Sequence, residues 1–168
     1  MNIVIQSSIK TLSKSKSLLS ILSNQDLCNT SVPPYYSCIG SHIRHILDIY
    51  DCVFDGIDIR LVDLTERTRD LKMHKDCAYA LENVLRVIKE VENLEGTNLE
   101  LKINVVDDLG LGKVEIEYTI AAILAQANSH AIHHYAIINY ILNHLDIEIE
   151  DETFGFNPTT PIPKINLN

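Results

Sequence analysis

The feature that most constrains the fold is a long stretch late in the chain whose inward positions keep an unbroken helical period. From about Thr119 to His144, these positions recur at alternating steps of three and four residues. They are Ile120, Ile123, Ala127, His130, His134, Ile137, Ile141 and Leu145. The spacing predicts a helix with one face in a protein core, and it places two histidines on that face.

Three further helices are predicted upstream. An amphipathic helix is expected over about residues 9–27, and a second over about residues 37–56 with Ser37 as its N-cap. A third is expected over about residues 73–95, and Gly96 is predicted to end it as its C-cap. The charged segment DIRLVDLTERTRDL between the second and third helices is predicted to be a crossing loop with a short helical turn.

A β-hairpin is predicted between the third and fourth helices. LELKINVV and KVEIEYT alternate apolar and polar residues on either side of DDLGLG, which is typical of two strands joined by a glycine-containing loop. After the last helix, residues 153–168 contain three prolines and are predicted to be an extended tail.

Charge and cysteine spacing exclude several classes of protein. In 168 residues, 14 Lys and Arg stand against 23 Asp and Glu, a net charge of −9 that disfavours nucleic-acid and membrane-surface binding. No apolar run is long enough to cross a bilayer and no signal-peptide pattern opens the chain, so a cytoplasmic protein is expected. The four cysteines are widely spaced, which favours reduced thiols in the core over a disulfide framework or a cysteine zinc site.

His130 and His134 form an HxxxH pair that suits a metal. Two imidazoles four residues apart on a helix lie about 6 Å apart and can bind one cation. Inside a core, each neutral imidazole also needs hydrogen-bond partners, and an unpaired group costs roughly 1 to 3 kcal/mol. A third ligand is offered by the second helix, at His42 or His45. Helical periodicity favours His42, which lies at the edge of the apolar arc of that helix.

Several motifs together resemble the DinB-like superfamily, in particular its small stand-alone bacterial members. SCIGSHIRHILDIYD and SHAIHHYAIINYIL carry most of the resemblance. LLSILSNQDL resembles the end of that group's first helix, LTERTRD its basic Arg-x-Arg-Asp loop, and FGFNPTTP its C-terminal Phe-Gly signature. The resemblance spans about residues 18–161 and depends on the order and spacing of these motifs.

The resemblance implies an all-α fold. The expected architecture is a four-helix bundle of up-down-down-up topology, with the short β-hairpin between helices 3 and 4, in a single domain over residues 1–168. It also implies a metal held by three histidines, which fall here on His45, His130 and His134. The resemblance therefore selects His45 where periodicity favours His42. A homodimer is a further expectation from the family.

Three histidine ligands are typical of a catalytic site. Structural zinc is normally closed by four protein ligands, whereas catalytic zinc keeps an open position for water or substrate. Some relatives act on low-molecular-weight thiols, so the resemblance implies a metal-dependent thiol transferase or hydrolase acting on a small molecule. A non-catalytic metal-binding or small-molecule-binding stress protein is the alternative, and a helical interaction module is a third. Imidazole ligands suit Zn(II), Ni(II), Fe(II) or Cu(II) without selecting among them.

The basic loop offers a second candidate feature. Arg67 and Arg69 can hold a substrate carboxylate in a forked contact, since guanidinium groups match carboxylates in geometry. The alternative is that the two arginines neutralise nearby acidic residues, namely Asp63, Glu66 and Asp70.

The remaining candidates are weaker, and no catalytic acid or base stands out. Asp48 and Asn139 can orient ligands, because metal-bound histidines usually donate their second N–H to a carboxylate or carbonyl. Tyr35 and Tyr36 can line the mouth of a pocket. The family usually has Arg-Glu-Leu before the histidines of its last helix, whereas this chain has Glu117-Tyr118-Thr119. The role of that arginine is therefore not expected here.

Overall fold

A computed structural model describes residues 1–161 of the chain. Over these residues the protein forms five α-helices, three β-strands and one 3-10 turn. The helices are α1 (Ile3–Leu19), α2 (Asn24–Leu27), α3 (Ile39–Ile57), α4 (Cys77–Asn93) and α5 (Ile120–His144). The strands are β1 (Leu61–Asp63), β2 (Lys102–Asp108) and β3 (Lys113–Thr119), and the 3-10 turn is Leu71–His74.

The four long helices enclose the core. Both α1 and α3 pack against α4 and α5, so each of these helices has two long neighbours. The largest fully buried side chains include Tyr50 on α3, Tyr135 on α5 and Phe154 in the segment after α5. This packing holds α3 and α5, the two helices that carry the histidines, side by side. Within residues 1–161, no helix has both the length and the apolar composition that a bilayer crossing requires.

The prediction of an all-α four-helix bundle is wrong, because the structure contains a three-stranded mixed sheet beside the helices. The predicted hairpin is present as β2 and β3, which pair antiparallel. The sheet's third member is β1, which pairs in parallel with β2 in the segment predicted to be a crossing loop. Pairing with β2 gives hydrogen-bond partners to the backbone N–H and C=O groups of this segment. The side chains of Val62 and Leu64 can therefore be buried, and they are 0% and 2% exposed.

Two glycines hold α3 close to the segment that follows it. A Cβ on Gly40 would lie 2.7 Å from the Cα of His74, and one on Gly56 would lie 2.7 Å from the Cα of Val62. Carbon atoms cannot approach so closely without a backbone shift, so only glycine permits these contacts. The basic loop between β1 and the 3-10 turn is therefore held against α3 near both of its ends.

Other boundaries also differ from the predictions. The first predicted helix, over residues 9–27, is two helices: α1 begins at Ile3, and α2 is separated from it by a capping box at Ser23 and Asp26. The third is preceded by the 3-10 turn instead of starting at residue 73. Cys38 and Cys52 are buried as predicted, while Cys77 is half-buried and Cys28 is exposed, and all four are free thiols.

The segment after α5 begins with turns and is not simply extended. Phe154 packs on Tyr135 with ring centroids 5.0 Å apart, so this end of the segment belongs to the core. The predicted tail over residues 153–168 extends beyond this point, and residues 162–168 lie outside the described part of the chain. The assignment of residues 1–168 to a single domain stays a prediction.

Candidate metal centre

Three histidines from two helices meet in one cluster. His45 on α3 and the pair His130 and His134 on α5 each offer a ring nitrogen, and these atoms all lie within 4.8 Å of one another. The ring centroids are 4.5 Å apart within the pair, and 4.9 and 4.8 Å from His45 to His130 and His134. His134 is buried, and the other two are half-buried. The residues brought together are those that the family resemblance implies.

The donor set fits a metal ion. The two Nε2 atoms of His130 and His134 lie 2.9 Å apart. Nitrogen ligands at about 2.0 to 2.1 Å from a tetrahedral zinc lie about 3.3 Å from each other. The Nε2 atoms of the pair are thus near the spacing of two ligands of one cation, and the ligand atom of His45 lies within 4.8 Å of both. The three histidines are positioned to bind a metal, and this ligand set does not identify which one.

His42, the alternative ligand, occupies a different place. Its Nδ1 lies 2.8 Å from Nδ1 of His134, and its Nε2 lies 2.8 Å from Oγ of Ser37. In the tautomers that metal coordination through Nε2 of His134 would require, Nδ1–H of His134 donates to Nδ1 of His42, and Nε2–H of His42 donates to Oγ of Ser37. Nε2 of His134 then keeps its lone pair toward the cluster. His42 thus orients a candidate ligand, as carboxylates and carbonyls do for metal-bound histidines.

Burial keeps the cluster neutral. Burial, followed by the neighbouring His130, lowers the pKa of His134 to about 2. Burial, followed by the guanidinium of Arg67, lowers the pKa of His45 to about 4. The pKa values of His130 and His42 are also lowered, mainly by burial. At pH 7 the imidazoles therefore carry the free lone pairs that metal coordination requires.

Two arginines lie at the α3 side of the cluster, in different electrostatic situations. Arg44 pairs with the buried carboxylate of Asp48 through Nη1, and its Nε donates to Nε2 of His74 at 3.0 Å. Arg67 donates through Nε to the carbonyl of Leu64 at 2.7 Å, and its Nη1 lies 3.1 Å from Nδ1 of His45. The charge of Arg44 is therefore balanced by a carboxylate, whereas Arg67 faces a histidine.

The remaining candidates lie away from the cluster or have other partners. Asp48 binds Arg44 and accepts no hydrogen bond from a histidine within residues 1–161. Asn139 lies 3.4 Å from the carbonyl of Phe154, so it holds the segment after α5. Tyr35 and Tyr36 are 74% and 61% exposed. The orienting role predicted for Asp48 is taken by His42.

Sequence reasoning missed two residues around the cluster. Ser37 was predicted as the N-cap of α3, but the side chain of Cys38 caps the helix and Ser37 contacts His42. His74, in the 3-10 turn, is not among the predicted residues, although it accepts from Nε of Arg44. Ser37 stands five residues before His42 and outside α3, so helical spacing gave no signal for this contact. None existed for His74 either, because its position depends on the contact with Gly40.

Comparison of the chain with protein-family models, with curated proteins and with solved structures finds no match.

Proposed function

We propose that this protein is a metal-dependent enzyme of the thiol transferase or hydrolase type, related to the DinB-like superfamily. The observation that carries the proposal is the meeting of His45, His130 and His134, whose ligand atoms lie within 4.8 Å of one another. The resemblance implies these three residues as ligands, and they come from helices far apart in the chain. Their convergence supports both the ligand set and the resemblance.

The donor set favours a reactive site over a structural one. Three neutral imidazoles are one ligand short of the closed coordination of structural zinc. When bound, a divalent cation supplies Lewis acidity, which lowers the pKa of a thiol or water that binds to it. The protein's own contribution is to hold the three rings neutral, through burial, and to fix the tautomer of His134 through His42.

One observation favours the alternative, a non-catalytic protein that sequesters a metal or a small molecule. Asp48 is the single buried carboxylate among residues 1–161, and Arg44 holds it as an ion pair. This carboxylate contacts Arg44 and none of the three histidines, so it is not placed to act as a general base at the cluster. A thiol transferase needs no separate base if the thiol loses its proton when it binds the metal. Turnover is therefore the property that distinguishes the enzyme from a sequestering protein.

The first test is the metal content of untagged protein, measured by elemental analysis. About one ion per chain is expected in the wild type, and none after His45→Ala or after the double change His130→Ala/His134→Ala. His144→Ala is the matched control, because it removes an exposed histidine from the same helix. Circular dichroism checks that each variant keeps its helices. An absence of bound metal, even after reconstitution with Zn(II), Ni(II) or Fe(II), would refute the proposal.

The second test separates an enzyme from a sequestering protein. The loaded protein is incubated with a panel of low-molecular-weight thiols and electrophilic or hydrolysable substrates, and product is followed over many turnovers. Turnover that disappears in His134→Ala supports the enzyme. Stoichiometric binding without turnover across the panel would favour sequestration. Homodimer formation and a cytoplasmic location stay predictions.

A further inference from the structure

The hairpin ends in a strand whose outer side has no partner strand among residues 1–161. The sheet order is β1-β2-β3, so β2 has a neighbour on both sides and β3 on one side only. In β2, the N–H of Asn104 donates to the carbonyl of Arg60 at 3.0 Å, and the carbonyl of Val106 accepts from the N–H of Leu64 at 2.9 Å. The backbone groups of Asn104 and Val106 therefore point toward β1, and those of Val105, which lies between them, point toward β3.

This alternation identifies the free backbone groups of β3. Val105 pairs with Ile116, so the N–H and C=O of Ile116 belong to the ladder between β2 and β3. Successive residues of a strand point their backbone groups to opposite sides. Those of Glu115 and Glu117 therefore point away from β2, and both residues are exposed. The outer edge of β3 thus offers donors and acceptors that no other strand within residues 1–161 uses.

This edge lacks the usual devices that prevent strand addition. Natural proteins interrupt an exposed edge with a bulge or a proline, place charged residues along it, or cover it. The pairing of β2 with β3 runs without a bulge over the whole of Lys113–Thr119, and β3 contains no proline. Its single lysine, Lys113, is its first residue and lies 3.5 Å from Asp63. The middle of β3 is therefore a regular and open edge.

The face of β3 that is turned toward the helices is apolar and only partly covered. Residues that pair across two strands share a face of the sheet, so Ile116 lies on the same face as Val105, and Val114 lies on it two residues away. Val105 is 2% exposed, whereas Val114 and Ile116 are each 39% exposed. A further strand beside β3, with apolar side chains on this face, would bury both of them.

The opposite face of β3 is acidic. Glu115 accepts from the side-chain amide of Asn104 and forms no ion pair within residues 1–161. Glu117 pairs with Lys102 at 2.7 Å, but both side chains are largely exposed, so this pair contributes little and leaves Glu117 able to bind a second cation. A partner with basic side chains on this face complements the two glutamates. A second copy of the chain, which also carries a net charge of −9, complements them less well.

We propose that β3 is a docking edge for an extended segment of another protein in which apolar residues alternate with lysine or arginine. The segment adds to the sheet antiparallel to β3, the more stable of the two strand directions. Its backbone pairs with Glu115 and Glu117, its apolar side chains cover Val114 and Ile116, and its basic side chains lie opposite the glutamates. The edge contains none of the three clustered histidines, so this inference does not rest on the proposed function.

The probe is a synthetic peptide as long as β3 in which lysine alternates with valine, capped at both ends and labelled for fluorescence anisotropy. Two control peptides carry the same charge. One has the same residues with the valines grouped together, and the other keeps the alternation but has N-methyl groups on its central lysines, whose N–H groups would face β3. Titration at about 0.15 M salt limits nonspecific attraction between the peptides and the acidic protein.

The protein variants separate backbone pairing from charge. Glu115→Pro removes an outward N–H without removing a ladder bond to β2, because an edge strand tolerates proline where the N–H faces solvent. Glu115→Gln keeps that N–H and removes the charge. Glu82→Gln is the control and removes an exposed charge from α4. Circular dichroism and urea unfolding show whether each variant is folded, and the N-methylated peptide tests backbone pairing on the wild type without any substitution.

The alternating peptide is expected to bind the wild type and to bind Glu115→Pro roughly 10-fold more weakly, because the added strand loses a hydrogen bond and its register. Glu115→Gln should weaken binding roughly 2- to 5-fold, as for an exposed ion pair, and Glu82→Gln should change nothing. In hydrogen exchange followed by NMR, the amides of Glu115 and Glu117 should exchange rapidly in the free protein and become protected when the alternating peptide binds.

Several results would overturn the proposal. Equal affinity for the grouped or the N-methylated peptide would show that charge alone attracts the probe. An absence of binding by the alternating peptide, or unchanged affinity in a folded Glu115→Pro, would exclude strand addition at this edge. A dimer of the protein alone that dissociates in Glu115→Pro, measured by analytical ultracentrifugation, would make a second copy the occupant in place of a basic segment.

Discussion

Two neighbouring residues of α5, His134 and Tyr135, face two polar environments of opposite character. The Tyr135 hydroxyl is fully buried, donates to the carbonyl of Thr11 at 3.0 Å and lies 2.7 Å from Oγ of Ser15. Each of these atoms has a partner of complementary chemistry. His134 instead faces other imidazoles, at 2.8 and 2.9 Å.

The comparison shows how a polar group that the protein itself satisfies differs from a candidate metal ligand, although both side chains are buried. The Tyr135 environment is complete within the protein, so it needs no further partner. Around His134 the partners are also imidazoles, and one of them, His130, has a lone pair that it could share with His134 and His45 on one cation. Burial alone does not separate the two cases. The chemistry of the partners does.

The largest expected effect is on metal affinity and comes from removing His134. His134→Ala should lower metal affinity roughly 100- to 10,000-fold, about one ligand's share of the free energy of a typical zinc site. The metal-free protein should keep most of its free energy of unfolding, because the lost hydrogen bonds join histidines to each other. Isothermal titration with Zn(II) and urea unfolding measure the two quantities. Tight binding retained by this variant would contradict the assignment of His134 as a ligand.

A smaller effect is expected from the residue that orients His134. His42→Ala should weaken metal binding roughly 10- to 100-fold, the usual cost of losing the partner of a metal-bound histidine, without abolishing it at saturating metal. Ser37→Ala, one link farther along the chain, should cost less. The same titration measures both. If His42→Ala abolished binding as completely as His45→Ala, His42 would itself be a ligand.

The tyrosine side should respond in stability and not in metal binding. Tyr135→Phe should lower the free energy of unfolding by about 1 to 3 kcal/mol, because the buried hydroxyl of Ser15 loses its partner. Urea unfolding gives this value, and the double variant Ser15→Ala/Tyr135→Phe should recover part of it. A loss of metal affinity in Tyr135→Phe would show that the two environments are not independent.

The smallest expected effect is on the pH dependence of the free energy of unfolding. The pKa values of His45 and His134 are lowered in the folded protein, whereas an unfolded histidine titrates near 6.5. Below pH 6.5 the unfolded chain therefore binds more protons, so stability falls as the pH falls. Allowing for solvent screening, the chelator-treated protein should lose about 1 to 2 kcal/mol between pH 7 and pH 5.5.

The control for the pH prediction is the double variant His45→Gln/His134→Gln. It should show a flatter dependence in urea unfolding monitored at both pH values. Asp48, whose pKa burial raises, acts in the opposite direction and is present in both proteins. An unchanged slope in the double variant would mean that other groups cause the acid sensitivity.

The long periodic elements were the part of the fold that the sequence predicts well. For α5, the predicted start at Thr119 lies one residue from the observed Ile120, and Thr119 caps the helix. The helical period and the N-cap residue both place the start of α5 at Thr119, so no local signal in the sequence favoured another boundary. The start of α1 was placed six residues late, because Asn2, whose side chain caps the helix, was not read as a cap.

The parts that sequence reasoning missed depend on contacts distant in the chain. Three residues of β1 carry too little alternation to predict a strand, and they become one only because β2 presents a free edge. The choice of the histidine that α3 contributes to the cluster also depends on contacts that are distant in the chain. Periodicity favoured His42, and only the family resemblance selected His45, because the rotation of α3 against α5 is set by packing that one sequence does not display.

The parallel pairing of β1 with β2 has a consequence for how the protein is made. Leu61 pairs with Asn104, so all of α4 must be synthesised before the segment that leads to Arg67 can dock. The histidines of α5 emerge later still. During synthesis on the ribosome, His45 is therefore exposed for some time without its partners, and a nascent chain cannot offer all three imidazoles. If the cluster binds a metal, the metal is therefore expected to be acquired after translation, in competition with whatever else in the cell binds the same ion.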